Sequence, residues 1–198
     1  MKKLATYLFL FFFSFLTPSF ADDVRDIEIE GIRIGDSLLD FLSREEIINE
    51  IEINKPSYNY LTDEFGEVYI FAKFNIYERM SFFVKPKDKN FTIYSVNGSI
   101  SYDDKLDQCL AKQTELNKEF SLKYKNTKKS KYTLKFPWDT TGESVTHNIE
   151  FNFDRGHGIS ISCTKYKKSL KIKNGWEDSF QIKLDSKEVI NWFNNPIN

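Results

Sequence analysis

Four side chains in this sequence belong to the types that most often carry chemistry at neutral pH: Cys109, Cys163, His147 and His157. A catalytic thiol requires a lowered pKa, a neighbouring base and access to substrate. Cys109 instead sits beside leucine in the stretch DQCLAK, on the apolar side of a predicted helix. The four side chains could together supply a metal site, but the C-x2-C and H-x3-H spacings typical of zinc sites do not occur. The pattern therefore disfavours both catalysis and metal binding.

A disulfide bond explains the two cysteines better. They are an even number in a chain whose N-terminus predicts export, and exported proteins keep such bonds oxidised. Cys163 continues the alternating series of Ile159 and Ile161 on a predicted strand, and Cys109 lies on the inward side of its helix. A helix packed on that sheet would bring the two sulfurs together, so we predict a Cys109–Cys163 disulfide. Two free buried thiols are the alternative.

The histidines have structural interpretations. His157 lies between two glycines in FDRGHGIS, a pattern typical of a tight turn. His147 is in phase with the apolar residues of a strand, which indicates a core or edge histidine with a partner. The sequence contains no G-x-S-x-G, S-x-x-K, H-E-x-x-H, phosphate-loop or dinucleotide-binding glycine pattern. We therefore predict no catalytic residue, no metal and no cofactor.

The N-terminus has the three parts of a secretory signal. Two lysines form a positive start, residues 4–16 are apolar apart from one threonine and one serine, and a small-x-small site ends at Ala21. This apolar run is shorter than the roughly 20 residues that span a bilayer, and no second one follows. We predict cleavage between Ala21 and Asp22 and an exported mature chain, residues 22–198, without a transmembrane segment. The predicted location is the periplasm, and the extracellular space is the alternative.

Charge is distributed unevenly along the chain. Residues 22–67 contain fourteen acidic and four basic side chains, whereas residues 118–173 contain thirteen basic and five acidic ones. A basic half of this kind can face an anionic partner such as a lipid headgroup or a polysaccharide, while export argues against nucleic acid. Lysines on edge strands also prevent aggregation between sheets, which is the alternative role. The candidate surface for an anionic partner consists of Lys128, Lys129, Lys131, Lys165, Lys167 and Lys168.

The first half of the mature chain predicts a helical start followed by strands. Asp36 is placed to cap a short helix with Leu38 on its apolar side. Ser43 and Glu46 form a capping box for a second helix. After Pro56 the hydrophobic period changes from helical to alternating. The predicted strands lie in EVYIFAKFN, MSFFVKP and FTIYSVNGSISY.

The second half has the same order of elements. The segment SYDDKLDQCLAKQTELNKEF has acidic residues at its start and apolar residues at helical spacing, so it predicts a long helix with Cys109 on the buried stripe. Strands follow in KYTLKFPW, VTHNIEFNF and GISISCTKY. Asn174-Gly175 predicts a type I′ turn before the strand in WEDSFQIKLD. Ser186 caps a short closing helix.

Together these elements predict an α+β fold. We expect an antiparallel meander of about seven strands with two or three helices packed on one face. One domain over residues 22–198 accommodates them. Because the order of helix and strands recurs, two αβ units at about 31–100 and 101–198 are the alternative organisation.

Three segments carry a resemblance to known proteins: IEIEGIRIGDSLLDFLSREEI, FFVKPKDKNFTIYSVNGSISYDD and CLAKQTELNKEF. They resemble small exported proteins of unknown function from AT-rich marine bacteria, which implies export and no assigned activity. The stretch IGDSLLDFLS followed by strands is also similar to outer-membrane assembly lipoproteins of the BamE-like type and to β-lactamase-inhibitor-like domains. The chain differs from the former because it lacks a lipobox cysteine and has a larger predicted sheet. This second likeness is architectural and assigns no function.

Two classes of function fit the sequence. The first is a secreted or periplasmic, non-enzymatic binding or envelope-accessory protein that acts through the open face of its sheet. Such a protein would carry an exposed apolar or aromatic patch there, and its partner would be an envelope protein or an anionic surface. The alternative is a periplasmic hydrolase-type enzyme, which would have a deep pocket with convergent carboxylates or a histidine. The absence of catalytic motifs favours the first.

Overall fold

The computed structural model describes residues 24–58, 62–71 and 73–195. The predicted signal sequence, with its cleavage site at Ala21 and Asp22, lies outside these ranges, and its removal stays a prediction. Within the described ranges no helix is both long and apolar enough to cross a membrane.

The described residues form one antiparallel sheet of seven strands. In chain order these are β1 (Gly66–Phe71), β2 (Arg79–Val84), β3 (Ile93–Ser101), β4 (Lys128–Lys135), β5 (Val145–Asn152), β6 (Gly158–Lys165) and β7 (Ser179–Asp185). Their spatial order is β1-β2-β3-β7-β6-β5-β4, so two meanders meet where β3 pairs with β7. The predicted α+β class and seven-stranded antiparallel sheet are confirmed.

Four α-helices accompany this sheet in the described part of the chain. They are α1 (Arg44–Asn54), α2 (Leu106–Lys123), α3 (Lys168–Asn174) and α4 (Lys187–Asn194). α1 packs on β1, and α2 lies on β6 and β7, so these two helices cover one face. The closing helix α4 contacts β3 and β7 from the other face, where Trp192 and Phe83 belong to a separate apolar cluster. The sequence pattern did not predict this placement of α4.

The two faces differ because apolar and polar residues alternate along the strands. In β6, Ile159 and Ile161 are buried against the helices, while Ser160 and Ser162 alternate with them and are half-buried. Successive side chains of a strand point to opposite faces, so the same alternation separates the main core from a polar surface. We call the helix-packed side of the sheet the covered face and the polar side the open face.

The Cys109–Cys163 disulfide is confirmed and joins α2 to β6 on the covered face. The two Cα atoms are 5.9 Å apart. One turn further along α2, the side-chain amide of Gln113 donates to the carbonyl oxygens of His147 and Ile161 at 2.7 and 2.8 Å. The disulfide and one hydrogen bond therefore hold α2 to β6, and the other hydrogen bond holds it to β5.

The segment after Asp36 differs from its prediction. It forms only a short 3-10 turn, Leu38–Asp40, which is capped by Ser37. The carboxylate of Asp36 instead accepts the backbone N–H of Arg33 at 2.8 Å. The capping box that Ser43 forms at the start of α1 is confirmed.

Asn174-Gly175 ends a helix and does not form a hairpin turn. Residues 168–174 are α3, and Gly175 closes that helix with a φ of 67°. A left-handed glycine serves equally well in a type I′ turn and after the last residue of a helix, so the dipeptide alone does not separate the two. As a result, Lys168 lies on a helix and not on an edge strand.

Candidate ligand-binding face

The open face presents rows of polar side chains that run across all seven strands. One row consists of Phe71, Arg79, Ser99, Gln181, Ser162, Asn148 and Tyr132. The neighbouring row consists of Tyr69, Ser81, Asn97, Lys183, Ser160, Glu150 and Ser130. Hydroxyl and amide groups predominate, and they both donate and accept hydrogen bonds. The face therefore suits a polar ligand better than an apolar one.

One end of the open face is closed by α4. Trp192 and Phe193 pack against Phe83 with ring centroids 5.5 Å apart in each pair. Beside this cluster Glu67 is buried, and the hydroxyl of Tyr69 donates to its carboxylate at 2.7 Å. Burial raises the pKa of Glu67, although its hydrogen bond with Tyr69 opposes that rise. This end of the face is therefore sheltered from water.

The other end of the open face contains a cleft of about 300 Å³. Small-molecule sites commonly begin at roughly this volume. Strands β2, β3 and β7 supply its floor, and aromatic and acidic side chains supply its walls and rim. The lining residues are Phe71, Glu78, Arg79, Ser99, Ser101, Tyr166, Gly175, Trp176, Glu177, Ser179 and Gln181.

Arg79 supplies a positive charge to the floor of the cleft. It is half-buried; its guanidinium carbon lies 5.8 Å from the ring centroid of Tyr69, and Nη2 lies 3.4 Å from the hydroxyl of Ser99. Among the described residues, no carboxylate forms an ion pair with it. Arginine is suited to bidentate recognition of carboxylates. The guanidinium is therefore available to a ligand.

Four aromatic rings form a wall beside the cleft, and we call them the aromatic cluster: Phe136, Trp138, Tyr166 and Trp176. The first three lie within 24° of parallel, with centroids between 4.7 and 6.3 Å apart. Trp176 packs on Tyr166 at 5.0 Å. Trp138 and Trp176 nevertheless remain 50% and 39% exposed. A contiguous exposed aromatic patch of this kind marks an interaction site more often than a packing defect.

Asp178 holds the wall of the cleft in place. Its buried carboxylate accepts the backbone N–H of Tyr166 at 2.8 Å and lies 3.3 Å from Nζ of Lys171 in α3. Lys171 also pairs with Asp103 and Asp104. Burial lowers the pKa of Lys171, but its hydrogen bonds to the three carboxylates raise the pKa overall, so the ammonium stays charged. The network fixes α3, and with it the aromatic wall.

The same three carboxylates have the separation of metal ligands. One oxygen of each of Asp103, Asp104 and Asp178 lies within 4.8 Å of the others. The ammonium of Lys171 pairs with all three carboxylates and offsets part of their charge, which makes the group an ion-pair network. The sequence predicted that the first two aspartates begin α2, but that helix begins at Leu106 and leaves them free to bind Lys171.

Asp139 shapes the hairpin that carries Trp138. Its carboxylate accepts the backbone N–H groups of Thr141 and Ser144 at 3.1 and 2.7 Å, and the hydroxyl of Thr141 at 2.6 Å. These hydrogen bonds hold the pKa of Asp139 well below its usual range. The hydroxyl of Ser144 accepts the backbone N–H of Lys167 at 2.9 Å, so the hairpin is tied to the start of α3.

Neither histidine lines the cleft. His147 lies opposite Cys163 in the β5–β6 pair, and its Nδ1 is 2.9 Å from the hydroxyl of Thr133. Nδ1 of His157 accepts the backbone N–H of Lys187 at 3.3 Å, at the start of α4. These contacts agree with the structural interpretation of both residues.

The six lysines predicted to face an anionic partner lie in two groups. Lys128 pairs with the last residue of β5 and Lys165 with the first, so about seven residues, or roughly 23 Å of strand, separate them. Lys129 donates to side chains of α2, and Lys167 forms an ion pair with Glu143 at 3.2 Å. The other two members, Lys131 and Lys168, are exposed. An anionic partner stays a prediction for each group.

Sequence reasoning missed the cleft because its residues come from distant parts of the chain. These residues meet only because β2 pairs with β3, β3 with β7 and β6 with β7, which brings together Arg79, Tyr166, Trp176 and Gln181. Two signals were present. Serines alternate with isoleucines in GISISC, which marks one face as polar, and aromatic residues follow the ends of β4 and β6.

Comparison with protein-family models, curated proteins and solved structures finds no match to this chain. The fold and the candidate site define the class of this protein. It is an α+β protein in which one face of the sheet is covered by helices and joined to them by a disulfide. The other face is polar, open, and ends in a cleft with an aromatic wall.

Proposed function

We propose that this chain is an exported, non-enzymatic binding protein of the bacterial cell envelope, located in the periplasm. We further propose that its ligand binds in the cleft and along the adjoining open face. The observation that carries the proposal is that one cleft is lined both by the exposed ring of Trp176 and by half-buried Arg79, which forms no ion pair among the described residues.

The cleft supports binding because its parts are complementary. The aromatic cluster offers flat apolar surface, and Ser99, Ser179 and Gln181 offer hydrogen-bonding groups at the floor. A mostly preformed concave site with a few convergent polar groups is the usual architecture of a ligand pocket. Asp178 and Asp139 fix the wall from behind, so little ordering is needed when a ligand arrives.

Export is supported by two independent features. Residues 1–21 have the composition of a secretory signal, and the disulfide belongs to an oxidising compartment. In a Gram-negative host that expresses the full chain, we expect the intact mass of the periplasmic protein to begin at Asp22 and to contain one disulfide. A cytoplasmic protein that retains residues 1–21 would contradict this part of the proposal.

A hydrolase is the second candidate, because two carboxylates line the cleft. Glu78 and Glu177 are both exposed at its rim. The carboxylate of Glu78 accepts the backbone N–H of Ser101 at 3.0 Å. Paired carboxylates are the machinery of many glycosidases, so any binding test must also detect cleavage.

The proposal is tested by titrating the mature protein with defined probes from three classes. The oligosaccharide probes are N-acetylated chitotetraose and hyaluronan tetrasaccharide, the peptide probe is tetraglutamate, and the lipid probe is phosphatidylglycerol vesicles. Binding is measured by calorimetry and tryptophan fluorescence. The Trp138→Ala/Trp176→Ala double variant is compared with Leu122→Ala, which removes a 65% exposed side chain from α2. Far-UV circular dichroism checks that all three proteins are folded.

We expect at least one class of probe to bind to the wild type and to Leu122→Ala, and to lose affinity in the double variant. Mass spectrometry of the recovered probe should show it unchanged, whereas shortened products would favour the hydrolase. If no class binds, or if the double variant binds as well as the wild type, the cleft is not the binding site and the proposal fails.

A further inference from the structure

We propose, building on the function proposed above, that the ligand is an oligosaccharide in which neutral sugars alternate with sugars that carry one carboxylate. In this arrangement a neutral sugar stacks on Trp176 and Tyr166, and the carboxylate of the adjacent sugar pairs with Arg79.

The aromatic wall favours a sugar over a flexible chain. One face of a pyranose ring carries several C–H groups, which are attracted to the negative π face of an aromatic ring. Trp176 and Tyr166 are 5.0 Å apart, and both line the cleft. A rigid sugar ring covers such a surface with a smaller entropy loss than an extended aliphatic or peptide chain.

The floor of the cleft suits hydroxyl groups. Ser99, Ser179 and the amide of Gln181 can each donate and accept, which matches the hydroxyl groups of a sugar. A peptide strand would instead need unpaired backbone groups at a sheet edge. The cleft lies over β2, β3 and β7, whose backbone groups pair within the sheet. Its recognition must therefore come from side chains.

The charges of the cleft set the spacing of anionic groups on the ligand. Arg79 is the one cation that lines it among the described residues, and it has no ion pair there. Glu78 and Glu177 at the rim would repel a ligand with a carboxylate on every sugar. One carboxylate for every two sugars satisfies the arginine without placing a second anion against these glutamates.

The test uses three matched tetrasaccharides and two matched pairs of variants. The probes are hyaluronan tetrasaccharide with alternating carboxylates, N-acetylated chitotetraose with no charge, and tetragalacturonate with a carboxylate on every sugar. Arg79→Gln keeps a hydrogen-bonding side chain without the charge, and Arg33→Gln removes an exposed arginine outside the cleft. Trp176→Ala removes the stacking ring, and Ile172→Ala removes a 78% exposed apolar side chain from α3. Calorimetry on the disulfide-bonded mature protein gives each dissociation constant.

We expect hyaluronan tetrasaccharide to bind at least about tenfold more tightly than either of the other two sugars. Arg79→Gln should abolish its advantage over chitotetraose, and Trp176→Ala should weaken both by about tenfold or more. The two control variants should match the wild type. Equal affinity for all three sugars, or an advantage that survives in Arg79→Gln, would overturn the carboxylate assignment.

The inference and the proposed function fail in different ways. If tetraglutamate or phosphatidylglycerol vesicles bind and none of the three sugars does, the sugar assignment is overturned while the cleft remains a binding site. Failure of every probe class overturns both.

Discussion

The covered and open faces are made by alternate residues of the same seven strands, yet they are stabilised in different ways. On the covered face, buried isoleucines and phenylalanines pack under α1 and α2, and the disulfide crosses the helix–sheet interface. On the open face the side chains are mostly hydroxyl and amide groups, some of them buried, and order comes from side-chain hydrogen bonds at the two ends. Stability therefore resides mainly in one face, which leaves the other free to carry a ligand site.

The two ends of the open face sharpen this contrast. At one end α4 buries Phe83 and Glu67, so that the face is closed by the protein itself. At the other end the aromatic cluster remains open to solvent, since Trp138 is 50% and Trp176 39% exposed. An aromatic patch that the fold does not cover is available for a partner to cover.

The largest effect on this comparison is expected from removing the disulfide. Cys109 and Cys163 are 54 residues apart, and closing a loop of that length stabilises the folded state by about 4 kcal/mol in the chain-entropy model. Urea unfolding of the Cys109→Ser/Cys163→Ser variant should show a free energy of unfolding that is lower by about this amount. Reductant should lower the free energy of unfolding of the wild type toward the value of the variant. The variant itself should not respond to reductant. An unchanged unfolding midpoint would mean that the disulfide does not stabilise the covered face.

Two neighbouring residues of β6 allow a direct comparison of the two faces, because their side chains lie on opposite sides of the sheet. Ile161 is fully buried on the covered face, so Ile161→Ala should cost about 3 kcal/mol, within the usual range for deleting a buried isoleucine side chain. Ser162 is half-buried on the open face, and Ser162→Ala should change the free energy of unfolding by less than about 0.5 kcal/mol. Denaturant melts measure both values. Similar costs at the two positions would remove the distinction between the faces.

The smallest effect concerns Glu67 at the closed end of the open face. Because burial raises its pKa, the folded chain holds this proton at pH values where the unfolded chain, with a pKa near 4.5, has released it. The folded state then binds more protons, so this group's contribution to stability falls as pH rises above that value. Glu67→Gln removes the titration, and the stability of the wild type relative to this variant should fall between pH 4 and pH 7. If the difference in stability between the wild type and Glu67→Gln did not change with pH, Glu67 would behave as a carboxyl group that is exposed to water.

Local sequence patterns predicted the covered face well because they record burial. The apolar stripe of α2 and the alternation in β6 correctly predicted that Cys109 and Cys163 are buried, and the capping box marked the start of α1. The cleft could not be predicted in this way. Its residues are joined by the pairing of β3 with β7, a contact between distant parts of the chain, and Asn174-Gly175 fits both a turn and a helix end.

The most direct test of the division between the faces is an NMR titration of the ¹⁵N-labelled, disulfide-bonded mature protein with hyaluronan tetrasaccharide. We predict chemical-shift changes at the amides of Arg79, Ser99 and Gln181 and at the indole of Trp176, with the amides of α1 and α2 unchanged. Changes centred on α1 or α2, or none at millimolar sugar, would contradict the assignment of the open face as the binding face.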